Sequence, residues 1–331
     1  MSKKIFTKVQ IVVISILFLI PAIIILGERI SSIYGIDFPD TYYMQLFSFI
    51  LILTIYSISW NILAYSGQVS LGHAAFLGLG AYASVLLVKN MGLPPLLTIL
   101  IGPLFAAVIG LGLGLMVLRL RVWFLAMVTF GFSIIVEAIV IDERLKYLTG
   151  GWDGLFAKPL ITTGIPNYQF LIYYFIAVIA ITVYLISLVI YNSKLGYAFK
   201  AIEENEALAK MSGINTIYYK VIAFVISTYL AGLAGAIDVH TRTLYVSPEI
   251  FHLQNSLWPL IFTLIGGLKT AEGPILGAFV IWIAWTQLSG VIGYYALLAI
   301  GILLAIIIIF APKGLIEILT KTIARIRGKQ I

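Results

Sequence analysis

YSGQVSLGHAAFLGLGAYASVLL, residues 65–87, is apolar enough for a membrane interior, yet its head carries Gln68, Ser70 and His73. Hydrocarbon offers no water to polar groups, so irregular backbone and polar side chains persist at depth only where protein buries them or an aqueous cavity meets them. The stretch therefore predicts a helix inside a bundle, with something hydrophilic passing its polar head. Asn61, just upstream, and Glu137, in a later apolar window, join Gln68, Ser70 and His73 as candidates for lining that route. Each also has a plainer reading: His73, Asn61 and Gln68 as hydrogen-bonding glue between helices, Glu137 as an interfacial carboxylate near Asp142 and Glu143.

Working outward, 61% hydrophobic and only 11% charged residues in 331, with a mean hydropathy of +1.07, are incompatible with a soluble globule. The chain reads as all-α and polytopic. Apolar windows predict helices near Val9 to Leu26, Tyr43 to Leu63, Ser70 to Val88, Pro94 to Leu118, Val122 to Ile141, Gln169 to Tyr191, Val221 to Val239, Leu257 to Leu268, Pro274 to Leu288 and Val291 to Phe310. That is about ten transmembrane or re-entrant helices. The pair between Leu257 and Leu288 is expected to be re-entrant, being short and joined by a Gly-rich loop.

The net charge of +7 raises the question of nucleic acid, but the cations collect in short loops, where membrane orientation places them. With the N-terminus inside, fifteen of the 21 Lys and Arg face the cytoplasm: Lys3, Lys4, Lys8, Arg119, Arg121, Lys194, Lys200, Lys210, Lys220, Lys269, Lys313, Lys321, Arg325, Arg327 and Lys329. The other six, Arg29, Lys89, Arg144, Lys146, Lys158 and Arg242, fall outside. Both termini are thus expected in the cytoplasm, the whole of residues 1–331 forming one membrane domain. Its notable loops are an outer one over 142–168, an inner one over 192–220, and a cytoplasmic tail over 312–331.

Enzymatic chemistry lacks a convergent set. His73, His240 and His252 show no HExxH spacing, no GxSxG elbow occurs, and Gly266-Gly267-Leu268-Lys269-Thr270 lacks the glycines of a phosphate loop. With no cysteine there is no disulfide and no thiolate site, and no metal ligand set is expected. Rows of intramembrane charge, which an ion-coupled carrier or channel would use, are also missing. Residues 67–87 and 266–286 echo one another as Gly-punctuated polar starts to apolar helices, and paired interruptions in two halves point to a transport site.

The inner loop is the second informative stretch. Good helix formers from Tyr197 to Met211, ended by Gly213, predict a short surface helix. Ala198, Ala201, Ile202 and Ala209 can share its buried side, Lys200, Glu203 and Glu204 its solvent side, and Glu206 can pair with Lys210. Such a helix is either an ordinary solvated loop or a docking element for a cytoplasmic partner.

Residues 67–76, GQVSLGHAAF, closely resemble a block of the permease subunits of branched-chain amino-acid ABC importers, the subfamily paired with a second, related permease. Further blocks agree: Leu148-Thr149-Gly150-Gly151, Glu206-Ala207-Leu208-Ala209 through Gly213-Ile214-Asn215, Val246-Ser247-Pro248, Phe251, Ser256, Gly266-Gly267, Gly273-Pro274, Gly277-Ala278 and Phe310-Ala311-Pro312-Lys313-Gly314-Leu315. The chain departs from the pattern at Gly131-Phe132-Ser133, its acidic residue arriving later as Glu137, and at Gly267-Leu268-Lys269-Thr270. The resemblance implies a permease fold in the cell inner membrane and a branched-chain or related hydrophobic amino acid as substrate. It implies as partners a paralogous permease, two ATP-binding cassette subunits that hold ATP and Mg, and an extracytoplasmic binding protein. This chain itself would hold no cofactor. The resemblance also marks Glu203, Glu206, Ala207, Lys210, Gly213 and Ile214 as facing the ATPase, and Gly67, Gly72, Gly266, Gly267, Gly273 and Gly277 as structural glycines. A sister branch importing urea or short amides shares most of these blocks, so that alternative stays open.

Overall fold

The computed structural model describes residues 19–21, 23–24, 40–117, 122–162, 164–165, 167–293, 295–310 and 314–318. Outside those fragments, the expected first span, Arg119, Arg121 and the tail over 312–331 lie beyond the described residues. The principal helices are α1 Asp40–Tyr65, α2 His73–Met91, α3 Pro95–Val117, α4 Val122–Ile141, α5 Tyr168–Tyr191, α6 Lys194–Glu204, α7 Glu206–Met211, α8 Thr216–Asp238, α9 Leu253–Gly266, α10 Gly273–Ile292 and α11 Tyr295–Phe310. Seven of them, α1 to α5, α8 and α10, are long and apolar enough to cross a membrane. The all-α expectation has one small exception, an antiparallel pair of two-residue strands, β1 Leu155–Phe156 and β2 Tyr245–Val246.

Several boundaries move, each for a local reason. The helix expected from Ser70 begins at His73, because Gly67 at φ 75 turns the chain and residues 68–72 stay irregular up to Gly72. The single surface helix expected over Tyr197 to Met211 is two, α6 and α7. Asn205 between them is extended, and its side chain caps α7 by accepting from the Ala207 and Leu208 amides at 3.0 and 3.1 Å. Of the pair expected to be re-entrant, α10 has 20 residues and qualifies as a span, whereas α9 at 14 and α11 at 16 fall short of the roughly 20 a bilayer requires.

α1 sits at the centre: 83% of its span is buried, against 22% for α10 and 33% for α4 on the periphery. A helix buried all round can be apolar all round, and three hydroxyls of α1 are satisfied within it. Thr54, Ser57 and Ser59 donate to the carbonyls of Ile50, Leu53 and Tyr56 at 2.9, 2.6 and 2.6 Å. Two hydrophobic cores flank α1. The larger unites α1, α2, α3, α5 and α8; the smaller joins Leu53 of α1 to Trp258, Phe262, Ala278, Ile281 and Ile300 of α9, α10 and α11.

Glycine sets the helix spacing, as in membrane bundles generally, where close backbone approach replaces the hydrophobic drive. A Cβ on Gly80 of α2 would lie 2.3 Å from the Gly232 backbone of α8, and one on Gly277 of α10 only 1.7 Å from the Phe262 carbonyl oxygen of α9. Gly266 and Gly273 meet the same hairpin at 1.8 and 2.1 Å, and Gly72 would strike the Thr129 carbonyl of α4 at 1.7 Å. Gly110 packs on Thr228, whereas Gly112 has no described atom within 4 Å.

Candidate functional site

At the end of the bundle that carries α6 and α7, three polar segments converge: the irregular turn 66–72, the loop 267–272 between α9 and α10, and the α6–α7 corner. Asn61, fully buried in α1, organises the middle one. Its Nδ2 donates to the Thr270 carbonyl at 2.7 Å and the Tyr191 hydroxyl at 2.8 Å, while its Oδ1 accepts from the Lys269 amide at 3.0 Å. This grip holds Lys269 at φ 64, a left-handed conformation rare for a residue with a Cβ. So posed, Lys269 Nζ forms a short ion pair with Glu203 of α6. Backbone also meets backbone here, since a Cβ on Gly67 would lie 3.0 Å from Glu203 Cα.

A second chain of contacts runs beside the first. Gln68 Nε2 donates to Ser66 Oγ at 2.7 Å and to the Lys220 carbonyl at 3.1 Å. Lys220, buried in the second turn of α8, sends its ammonium to Glu206 Oε2 at 2.6 Å, and Glu206 Oε1 takes Lys210 at 3.0 Å and the Thr216 hydroxyl at 3.1 Å. Partial burial pushes the Glu206 carboxyl up, but the hydrogen bonds from Lys220, Lys210 and Thr216 outweigh it and hold the group at about 2. The expected Glu206 to Lys210 pair is present. Glu203, expected to face solvent, turns inward to Lys269.

These ion pairs clamp a corner whose outer side is apolar and open. Leu208 is 58% and Met211 83% exposed, with Ala207, Lys210 and Gly213 exposed beside them and Ile214 half-buried. Gly213, at φ 83 with open space around it, supplies the left-handed turn that ends the corner, where the Ile214 amide returns to the Ala209 carbonyl at 3.0 Å.

The remaining polar residues of 65–87 lie deeper, between helices. His73 is fully buried; its Nε2 lies 2.8 Å from Ser59 Oγ, and since Ser59 already donates to Tyr56, His73 is the donor there. Ser70 offers its carbonyl to Trp60 Nε1 at 3.0 Å, and Ser256 Oγ accepts from the Ala74 amide at 2.9 Å. Among the described residues, Ser70 Oγ, Gln68 Oε1 and His73 Nδ1 are buried with no hydrogen-bond partner. Glu137 is apart from all of these, pairing with His252 Nε2 at 3.2 Å.

The residues read as an ATPase-facing set and those read as a route thus divide differently in space. Asn61, Gly67 and Gln68 belong with Glu203 and Glu206; Ser70 and His73 form a helix-packing group; Glu137 lies apart from both, with His252. Lys220 and Thr216, which complete the cluster, were missed because they read as loop residues, although a lysine in the turn that opens an apolar helix is a signal in itself. Lys269 was read as a cytoplasmic cation and as a departure from the family pattern, with no sign of its partner.

Residues 42–311 match the family described as "branched-chain amino acid transport system / permease component". The chain is 30% identical over 276 residues to the high-affinity branched-chain amino acid transport system permease protein LivM of Escherichia coli (strain K12), and equally to that of Salmonella typhimurium; each match covers 76% of this chain and 64% of the relative. It is 24% identical over 266 residues to a probable branched-chain amino acid transport permease protein LivH of Methanocaldococcus jannaschii, covering 75% of this chain and 82% of that one. The match to this chain thus spans less than two thirds of the length of the LivM relatives. No solved structure shows significant similarity to the chain.

Proposed function

The chain belongs to the family of permease components of branched-chain amino acid transport systems, and we propose on that premise that it is one permease of an ATP-driven importer of hydrophobic amino acids in the inner membrane. A paralogous permease would complete the pathway, an extracytoplasmic binding protein would deliver substrate, and two separate ATPase subunits would bind ATP and Mg. The α6–α7 corner is the part that takes the ATPase stroke. The observation that carries this reading is the clamp: an exposed apolar edge, Leu208 and Met211, is tied by Glu206–Lys220 to α8 and by Glu203–Lys269 and Asn61 to α1. A corner so tied moves only by moving the helices. Alternating access would follow when closure of the ATPases displaces it. Urea and short-amide import remains the second reading, favoured by nothing in this geometry. Uptake of radiolabelled leucine by proteoliposomes carrying the complete assembly tests the function, and failure to accumulate leucine above a urea control would overturn it.

Orientation follows from charge. The Lys-rich corner over 194–220 faces the cytoplasm and the loop 142–168 the outside. With no native cysteine to interfere, single Asn205→Cys and Trp152→Cys chains report this directly through an impermeant thiol reagent on intact cells. Label is expected at position 152 alone. Label at 205 from outside would reverse the assignment.

We assign Ser70 and His73 to bracing α1 and α2. One interhelical hydrogen bond in a membrane is worth about 0.6 kcal/mol on average. His73→Leu, which removes the Ser59 contact and an unpartnered nitrogen, is therefore expected to leave uptake per assembled complex within about twofold. A much larger fall in uptake than in assembled complex would return His73 to the pathway.

A further inference from the structure

α8 does not end as an α-helix. Val239–Thr243 winds as a π-helical turn, and Leu244 follows at φ 52, in the left-handed region where a side chain is unfavourable. Single π turns are rare and recur at functional sites. This one is held on every side. His240, fully buried, donates from Nδ1 to the Lys158 carbonyl at 2.7 Å and accepts at Nε2 from Ser84 Oγ at 3.0 Å. The outer loop adds two backbone bonds, the Leu160 amide to the His240 carbonyl and the Ala157 amide to the Leu244 carbonyl, at 2.8 and 2.9 Å.

The turn presents Arg242. Its guanidinium meets Asp238 through two hydrogen bonds, Nε to Oδ1 at 2.6 Å and Nη2 to Oδ2 at 3.0 Å, and lies 3.8 Å above the ring of Phe49. Together these form one wall of a 200 Å³ cavity in the seam between the two hydrophobic cores, whose other wall is Leu53, Trp258 and Trp282. A 150 Å³ cavity in another protein holds benzene, so the space suits a small apolar side chain. An ionisable pair within a spanning segment, facing a cavity, calls for a partner of matching chemistry.

We propose that Asp238 and Arg242 grip the backbone end of a zwitterionic amino acid, its carboxylate on the guanidinium and its ammonium on the Asp238 carboxylate. This rests on the importer reading and deepens it to a site. Arg242 has five N–H groups and spends two on Asp238, so three remain for a ligand carboxylate. The Asp238 carboxylate likewise keeps lone pairs for an ammonium. The aliphatic side chain lies against Leu53, Trp258 and Trp282. A zwitterion adds no net charge to a neutral pair, whereas urea and amides have no carboxylate for Arg242. The site therefore selects amino acids over the sister substrates.

Equilibrium binding of radiolabelled L-leucine to the purified full chain in lipid nanodiscs tests this without the binding protein. Saturable binding is expected, displaced by leucine but not by leucinamide, isocaproate or urea. Arg242→Gln and Asp238→Asn should each weaken it about tenfold or more, the effect of losing one charge-assisted hydrogen bond. If Arg242→Gln does not accumulate, Arg242→Lys decides, since it keeps the charge and loses the fork. No saturable binding by the wild type, displacement by leucinamide, or unchanged affinity in the variants overturns the proposal. Leucine import by the wild-type assembly is read separately: import without binding sinks this site alone, and binding without import sinks the importer reading alone.

Discussion

Glu206→Arg abolishes uptake while the chain still inserts: that is the expected result, with transport falling by at least about tenfold at an unchanged membrane level, equivalent to some 1.4 kcal/mol of lost coupling. The carboxylate receives Lys220, Lys210 and Thr216, and the Lys220 side chain is only 9% exposed. Reversing the charge leaves a buried ammonium facing a guanidinium, and α7 must swing out to separate them. Glu206 itself is 38% exposed, so water screens part of the pair and the spans stay folded. Uptake and membrane abundance measured on one preparation check this; normal transport at normal abundance would defeat the docking role. The same carboxylate sets a pH window. Its pKa is lowered from 4.5 to about 2 in the folded chain. Its contribution is therefore complete above the unfolded value and lost as pH falls from 4.5 toward 2. Amide exchange over 205–214 should be constant from about pH 7 to 5 after correction for intrinsic rates, and rise only below about 4.5.

Gly277→Val is expected to remove most of the folded protein, whereas Gly112→Ala leaves it intact. Both glycines sit in long apolar helices, and nothing local distinguishes them. A Cβ at 277 meets the Phe262 carbonyl oxygen at 1.7 Å, and backbone cannot step aside as a flexible side chain would. α9 and α10 must part, which separates Phe262 and Ile265 from Ala278 and Ile281 in the smaller core. Overpacking typically costs about 1–3 kcal/mol, and a backbone clash between two helices lies at or above that range. At Gly112 a methyl meets open space among the described residues, and alanine gains up to about 1 kcal/mol of helix propensity. Monodisperse yield and thermal midpoint in detergent measure both. Wild-type yield and midpoint for Gly277→Val would show that the hairpin is not closed by this contact.

What the sequence determined by itself is the class of molecule and the positions of its helices. An apolar chain in lipid must satisfy its backbone within each segment, so spans are local events. Composition and window length therefore placed α1 to α5, α8 and α10 to within a few residues. Gly213 likewise read correctly as a helix terminus, since positive φ is a local demand. Asn205 was also local, but a cap inside a run of helix formers was overlooked in favour of one longer helix. Only the tertiary structure decided which polar residues meet. Asn61 and the Thr270 carbonyl lie 209 positions apart, Gln68 and the Lys220 carbonyl 152, and no periodicity links them. Likewise, Arg242 read only as an outer-loop cation until α1, α9 and α10 brought Phe49, Trp258 and Trp282 around it and Asp238. Interhelical partners are chosen by close packing of whole helices, a property of surfaces assembled from distant segments.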